Sequence, residues 1–153
     1  MSALTKKVLL QRVQKGIEQM PYLRWLGVRI RNIKRGRVLV ELPVREEMLQ
    51  VAGLLHGGVV ASLVDVACAL ATMSALPRFH EIRTLEMKVN FFKPVRGGLI
   101  QTMADCIHVG KRTAVTVARV REKTHRIKTA YGITTFAIIH NDKPAEYLER
   151  LIQ

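Results

Sequence analysis

His56, Gly57 and Gly58 lead into a long apolar run, Val59 to Leu76, in which a single carboxylate, Asp65, interrupts the hydrophobic side chains. An unpaired carboxylate in apolar surroundings costs several kcal/mol, or its pKa rises, by roughly 3–5 units at the extreme. Groups held this way serve as general acids, bases or nucleophiles, so Asp65 is the first candidate for chemistry in the chain. The competing account is a core acid that only satisfies a buried donor. An exposed acid on an ordinary surface helix is excluded on this pattern, because apolar residues occupy every side of the helical wheel, the mark of a buried helix.

The elements that must position Asp65 follow from periodicity and punctuation. Leu4, Val8, Leu9, Val13 and Ile17 recur at helical spacing and predict an N-terminal helix over about residues 3–20, ended by Pro21. Val28–Ile33 and Arg37–Pro43 read as two short strands turning at Lys34-Arg35-Gly36. A mixed loop containing Gly53 precedes the apolar helix, which Pro77 stops. From Thr84 the period changes to two: Leu85, Met87, Val89 and Phe91 alternate with Glu86, Lys88, Asn90 and Phe92. Leu99–His108, Arg112–Lys123 and Ile127–Ile139 complete four strands after the helix, closely connected and therefore antiparallel neighbours. One buried helix with strands on both sides in sequence predicts an α+β domain whose sheet curls around the helix. Its edge strand is then free to pair with a second copy.

Composition bounds the alternatives. The 153 residues suit one domain, with a core at about 26–140, and roughly 70% of the unfolded surface of such a chain is buried on folding. Cys68 and Cys106 lack metal-ligand spacing and read as two reduced thiols of a cytoplasmic protein. The apolar run is about long enough to cross a bilayer, but its Gly, Ala, Ser and Thr content and the amphipathic strands around it argue for a core helix. Gln11, Gln14 and Glu18 fit a transit peptide poorly. A net charge of +13 favours anionic partners. The cations are scattered, with only Phe91, Phe92 and Tyr131 nearby for stacking, so no nucleic-acid partner is expected, and a phosphate-bearing coenzyme uses the same charges.

With the elements in this order, His56-Gly57-Gly58 followed by Asp65 in the helix resembles the hotdog-fold acyl-CoA thioesterases, of the phenylacetic-acid-degradation type within the 4-hydroxybenzoyl-CoA thioesterase superfamily. The resemblance extends over about residues 26–139. It includes Gly53, the strand end Met87-Lys88-Val89-Asn90-Phe91-Phe92-Lys93-Pro94 and the turn Gly110-Lys111-Arg112. It implies a hotdog fold and hydrolysis of a thioester to a free acid and coenzyme A, with no metal and no redox cofactor, coenzyme A entering only as part of the substrate.

The resemblance also distributes roles. The Gly57 backbone N–H, at a helix start where donors are unpaired and the dipole is positive, would receive the oxyanion. Asp65 would be general base or nucleophile. It stands about two turns, some 12 Å, along the same helix, so the family's arrangement, in which the acid of one subunit serves the amide of the other, implies a homodimer or homotetramer. His56 would orient the thioester, or else cap the helix; Thr84 would hold the attacking water, or else be an ordinary β-branched strand residue. Gln50 stands where the related pattern has Asn. Lys93, Lys111 and Arg112, with Gly110 in the turn, are the candidates for the coenzyme phosphates. The alternatives are an acyl-CoA-binding or regulatory module without turnover, a hydratase on the same fold, whose extended Asp/His motif is absent from the sequence, and, as an outsider, a basic nucleic-acid-binding protein.

Overall fold

The computed structural model describes residue 11, residues 13–76 and residues 80–140. The first part of the expected N-terminal helix, and Pro77, the expected stop of the long apolar helix, lie outside them; residues 13–19 are helical and are termed α1. Helix α2 (Pro21–Leu26) follows at once, with Pro21 in its first turn and Gly27 in the left-handed conformation at its end. Pro21 therefore does two jobs: it stops one helix and starts the next, because proline's fixed φ suits a first helical turn, where its missing N–H has no partner anyway.

Strands β1 (Arg29–Lys34) and β2 (Arg37–Pro43) precede the long helix α3 (Gly57–Ala75). Strands β3 (His80–Phe91), β4 (Leu99–Val109), β5 (Thr113–Glu122) and β6 (Lys128–His140) follow it. All six join one antiparallel sheet in the order β1-β2-β4-β5-β6-β3, and α3 packs against every strand. This is the hotdog architecture. Strand β3 starts at His80, four residues before the change of period suggests, because its first residues pair with the end of β6 whatever their hydropathy.

The helix sits in a trough of small residues. Ala104, Ala118 and Gly132 are paired in one row across β4, β5 and β6. A Cβ at Gly132 would lie 2.4 Å from a Val64 methyl, so glycine is what lets α3 approach this closely. Val60, Leu63, Val64, Ala67, Cys68 and Ala71 fill the interface. The helix long and apolar enough to cross a bilayer, among the described residues, is this same helix wrapped by the sheet.

The two sheet edges differ. At β1 the Gln14 side chain lies against the strand, accepting from the Ile30 N–H at 2.9 Å and donating to the Val28 carbonyl at 3.1 Å. At β3 the edge is open: Leu85, Met87 and Phe91 are 60, 37 and 57% exposed.

Candidate active site

Helix α3 starts at Gly57, and His56 caps it. The His56 Nδ1 accepts from the Gly58 N–H at 2.9 Å, while its carbonyl takes the Val59 N–H. An Nδ1 that accepts puts the proton of the neutral ring on Nε2, so the exposed end of His56 is a donor. The capping role offered for His56 is observed, and it leaves that second nitrogen available. The Gly57 N–H, one residue inside the helix, meets no acceptor among the described residues. The Phe91 ring would lie 3.5 Å from a Cβ at Gly57, so the bare backbone faces an aromatic wall.

Gln50, Leu55, Gly57, Phe91, Lys93 and Thr129 are among the residues around a hollow of about 320 Å³ at this end of the sheet. The Gln50 backbone closes a tight loop, its carbonyl accepting from Gly53 N–H at 2.8 Å; Gly53 takes a positive φ of 68°, which glycine adopts without strain. Thr129 escaped the sequence analysis. It is buried and its hydroxyl has no partner among the described residues, which is costly unless something in the hollow supplies one.

Asp65 is half-buried rather than enclosed. The expectation that α3 is covered on all sides is thus corrected. Ser62, Asp65, Ala69 and Met73, spaced three or four apart, form a stripe that is only partly covered, and Met73 is exposed. The helical wheel is apolar there, but among the described residues the sheet of the same chain covers that stripe only in part. The Asp65 Oδ1 accepts a hydrogen bond from the Thr84 hydroxyl at 3.0 Å.

That contact depends on a β-bulge. The β3–β6 register shifts between Thr84 and Glu86, leaving Leu85 as the extra residue. Strict alternation, as the sequence pattern suggests, puts Thr84 on the face opposite Met87, Val89 and Phe91. In the structure Thr84 pairs with Phe136 and Met87 with Thr134, both buried on the helix side. The bulge turns Thr84 towards the helix and Asp65, a familiar use of bulges beside functional groups.

Cys68, one turn from Asp65, is no rival nucleophile. Burial pushes its thiol up to about 12, so the thiolate is scarce at neutral pH. No cluster of His, Cys, Asp or Glu that could hold a metal ion occurs among the described residues.

One protomer does not gather all the candidate residues. Gln50, His56, Gly57 and Lys93 lie at the Phe91 end of β3, Asp65 and Thr84 nearer its His80 end. Gly110, Lys111 and Arg112 form the β4–β5 turn beyond that second end, where the Arg112 carbonyl accepts from Ile138 N–H.

Comparison with known proteins defines the class. The family model described as the thioesterase superfamily matches residues 52–128, half of the chain. A crystal structure of a thioesterase family protein from Silicibacter pomeroyi superposes with a TM-score of 0.80 at 27% identity, over 86% of this chain and 98% of that one. A conserved protein from Pseudomonas aeruginosa is 31% identical, with a TM-score of 0.74 over 78% of this chain and 94% of that one. A 1,4-dihydroxy-2-naphthoyl-CoA hydrolase from Listeria monocytogenes is 28% identical over 102 residues, 67% of this chain and 83% of that protein. The chain belongs to the thioesterase superfamily. It is an enzyme of the thioester-hydrolase class on the hotdog fold.

Proposed function

We propose that the protein hydrolyses an acyl-CoA thioester as a homodimer, with Asp65 as general base or nucleophile and the Gly57 N–H of the partner subunit receiving the oxyanion. The observation that carries this reading is the position of Asp65: half-buried, hydrogen-bonded by Thr84, on the stripe of α3 that its own sheet covers only in part, beside the open β3 edge. Within one helix Asp65 and Gly57 are eight residues, about 12 Å, apart and cannot share a carbonyl carbon.

A two-fold axis resolves this. Thr84 marks the level of Asp65 on β3, and Phe91 marks the level of Gly57. Antiparallel pairing of two β3 strands centred on Lys88 sets Met87 opposite the partner's Val89 and Glu86 opposite the partner's Asn90, and with Leu85 bulged out it lays Thr84 opposite the partner's Phe91. The acid of one protomer then faces the mouth of the other's helix. The same operation brings Lys93 towards the partner's Lys111 and Arg112, which supports a shared cationic bay for the coenzyme phosphates with Gly110 shaping the turn.

Chemically, the Gly57 N–H polarises the thioester carbonyl and holds the charge that develops on its oxygen. The His56 Nε2–H supplies a second donor or orients the thioester. Asp65 takes a proton from a water held by its own Thr84 and the partner's Gln50 and that water attacks the carbonyl, or Asp65 attacks the carbonyl itself to give a mixed anhydride that water then hydrolyses; in both routes the C–S bond breaks, coenzyme A leaves as the thiol and the free acid is released. The hollow beside Gly57, walled by Leu54, Leu55, Val60 and Phe91, suits an aryl or short aliphatic acyl group. The His-Gly-Gly/Asp pattern favours the phenylacetic-acid-degradation type, and the naphthoyl-CoA hydrolase relative favours an aryl substrate. The reduced thiols and coenzyme chemistry fit a cytoplasmic enzyme.

Assay of wild type and Asp65→Asn against aryl, short, medium and long acyl-CoAs tests this. The variant is expected to keep the fold and oligomeric state and to lose about 100-fold or more in kcat. Binding of acyl-CoAs by wild type without turnover of any would replace this reading with the non-catalytic acyl-CoA-binding module.

A further inference from the structure

The sheet face turned away from α3 carries its own hollow, of about 480 Å³, a size ordinary for small-molecule sites. Its floor and wall are one cross-strand row: Leu39, Met103, Arg119 and Tyr131 are successive partners across β2, β4, β5 and β6. Phe92, just beyond β3, closes one side. Arg121 and Lys128 close another, and these two cations are direct cross-strand partners.

That pairing is unfavourable as it stands. Like charges opposite each other on a sheet repel, and neither cation pairs with a carboxylate among the described residues: Arg121 donates its Nε and Nη2 to the Gln101 side-chain oxygen, a neutral acceptor. Arg119 binds Asp105, but Asp105 is already shared with Arg37, so the hollow keeps a surplus of positive charge. An anion between Arg121 and Lys128 would offset the repulsion. The remaining walls specify what the anion is attached to. Two aromatic side chains, Phe92 and Tyr131, line the hollow together with the aliphatic Leu39 and Met103, and a flat ring can stack there while its acidic group reaches the cations.

We propose that the outer face of the sheet holds a second ligand site, formed by Arg121, Lys128, Tyr131 and Phe92, for a phosphate joined through a sugar to a flat ring, that is, a nucleotide. With a free nucleotide the proposal stands independently of the thioesterase reading; with the thioester's carrier as the source it rests on that reading. The nucleotide has two possible sources with the same chemistry: a free nucleotide, or the nucleotide end of the thioester's own carrier, since Phe92 borders both this hollow and the one beside Gly57.

Adenosine monophosphate and inorganic phosphate are titrated into the full chain and into Arg121→Gln/Lys128→Gln and Tyr131→Ala, with binding followed by calorimetry and folding checked by circular dichroism. The double variant is expected to bind both at least about tenfold more weakly, and Tyr131→Ala to weaken adenosine monophosphate while leaving phosphate unchanged. KM for an acyl-CoA and for the matching acyl-pantetheine separates the sources. A rise confined to the CoA thioester in the double variant assigns the site to the substrate's own nucleotide, and no rise assigns it to a free one. Adenosine monophosphate bound equally by wild type and the folded double variant, or not bound at millimolar concentration, overturns the proposal, while acyl-pantetheine hydrolysis would persist in either case.

Discussion

Strands β1 and β3 are the two edges of the same sheet and end it in opposite ways. The β1 edge is six residues long, carries Arg29, Arg31 and Lys34, and is met by the Gln14 amide, which supplies the donor and acceptor that a neighbouring strand would offer. Behind it, Glu41 of β2 is only 1% exposed and is held by Gln101, by Lys123 at 3.0 Å and by Arg31 of β1 itself. The β3 edge is twelve residues long, has exposed Leu85, Met87 and Phe91, and runs beside Asp65. Chains usually protect an edge as β1 is protected, because unpaired strands recruit other chains. A long edge with exposed apolar side chains, left open next to the candidate acid, is what a site completed by a second copy requires.

Loading the open edge should have the largest effect. Met87→Asp places a charge near the centre of the proposed β3–β3 seam; it is expected to yield monomer at micromolar concentration and to cut activity at least about tenfold, with partial recovery as protein concentration rises. Analytical ultracentrifugation alongside the assay checks both effects. A monomer with full activity would break the contrast between the edges.

On the closed side, Glu41 should govern acid stability. Burial pushes its carboxyl up, but hydrogen bonds from Gln101, Lys123 and Arg31, with the charge of Arg31, outweigh that and hold it at about 2, below its ordinary 4.5. A group so lowered stabilises the fold above its unfolded pKa, and that contribution is lost as pH falls from about 4.5 towards 2. Glu41→Gln is expected to cost about 1–2 kcal/mol at pH 7, since Arg31 and Lys123 are half in solvent, and to flatten stability against pH over that window. Urea midpoints from pH 2 to 7 report it. Gln14→Ala should be the mildest change, about 1 kcal/mol, because water can reach part of the exposed edge. Catalysis should be untouched and dimer affinity unchanged; a new, higher oligomer would show that this amide also blocks strand pairing.

Most of this architecture is legible in the residues. An apolar run as long as α3 and alternating strands of ten or more residues leave strong periodic marks, and β2 falls where its sequence pattern puts it. What the sequence hides is local and depends on tertiary contacts. The Leu85 bulge breaks a two-residue period that looks unbroken, so the face of Thr84, and hence its bond to Asp65, could not be read. Helix α2 is a single short turn and a half after a proline that also reads as a terminator. Gln14 gives no sign that it mimics a strand, nor does Thr129 that its hydroxyl is buried beside the Gly57 hollow. The open stripe on α3 could not be told from a buried one, because an interface with a second copy has the composition of a core.

The central claim is that one protomer's acid serves the other's amide, and complementation tests it directly. Asp65→Asn removes the acid. Gly57→Pro removes the N–H at the first helical position, where proline is tolerated and the extended His56 precedes it acceptably. Each variant alone should be inactive. Unfolded together and refolded as a mixture, they should regain about a quarter of wild-type activity, since half the dimers are mixed and each mixed dimer carries one intact site. A mixture as inactive as its parts, with mixed dimers demonstrably formed, would contradict the account.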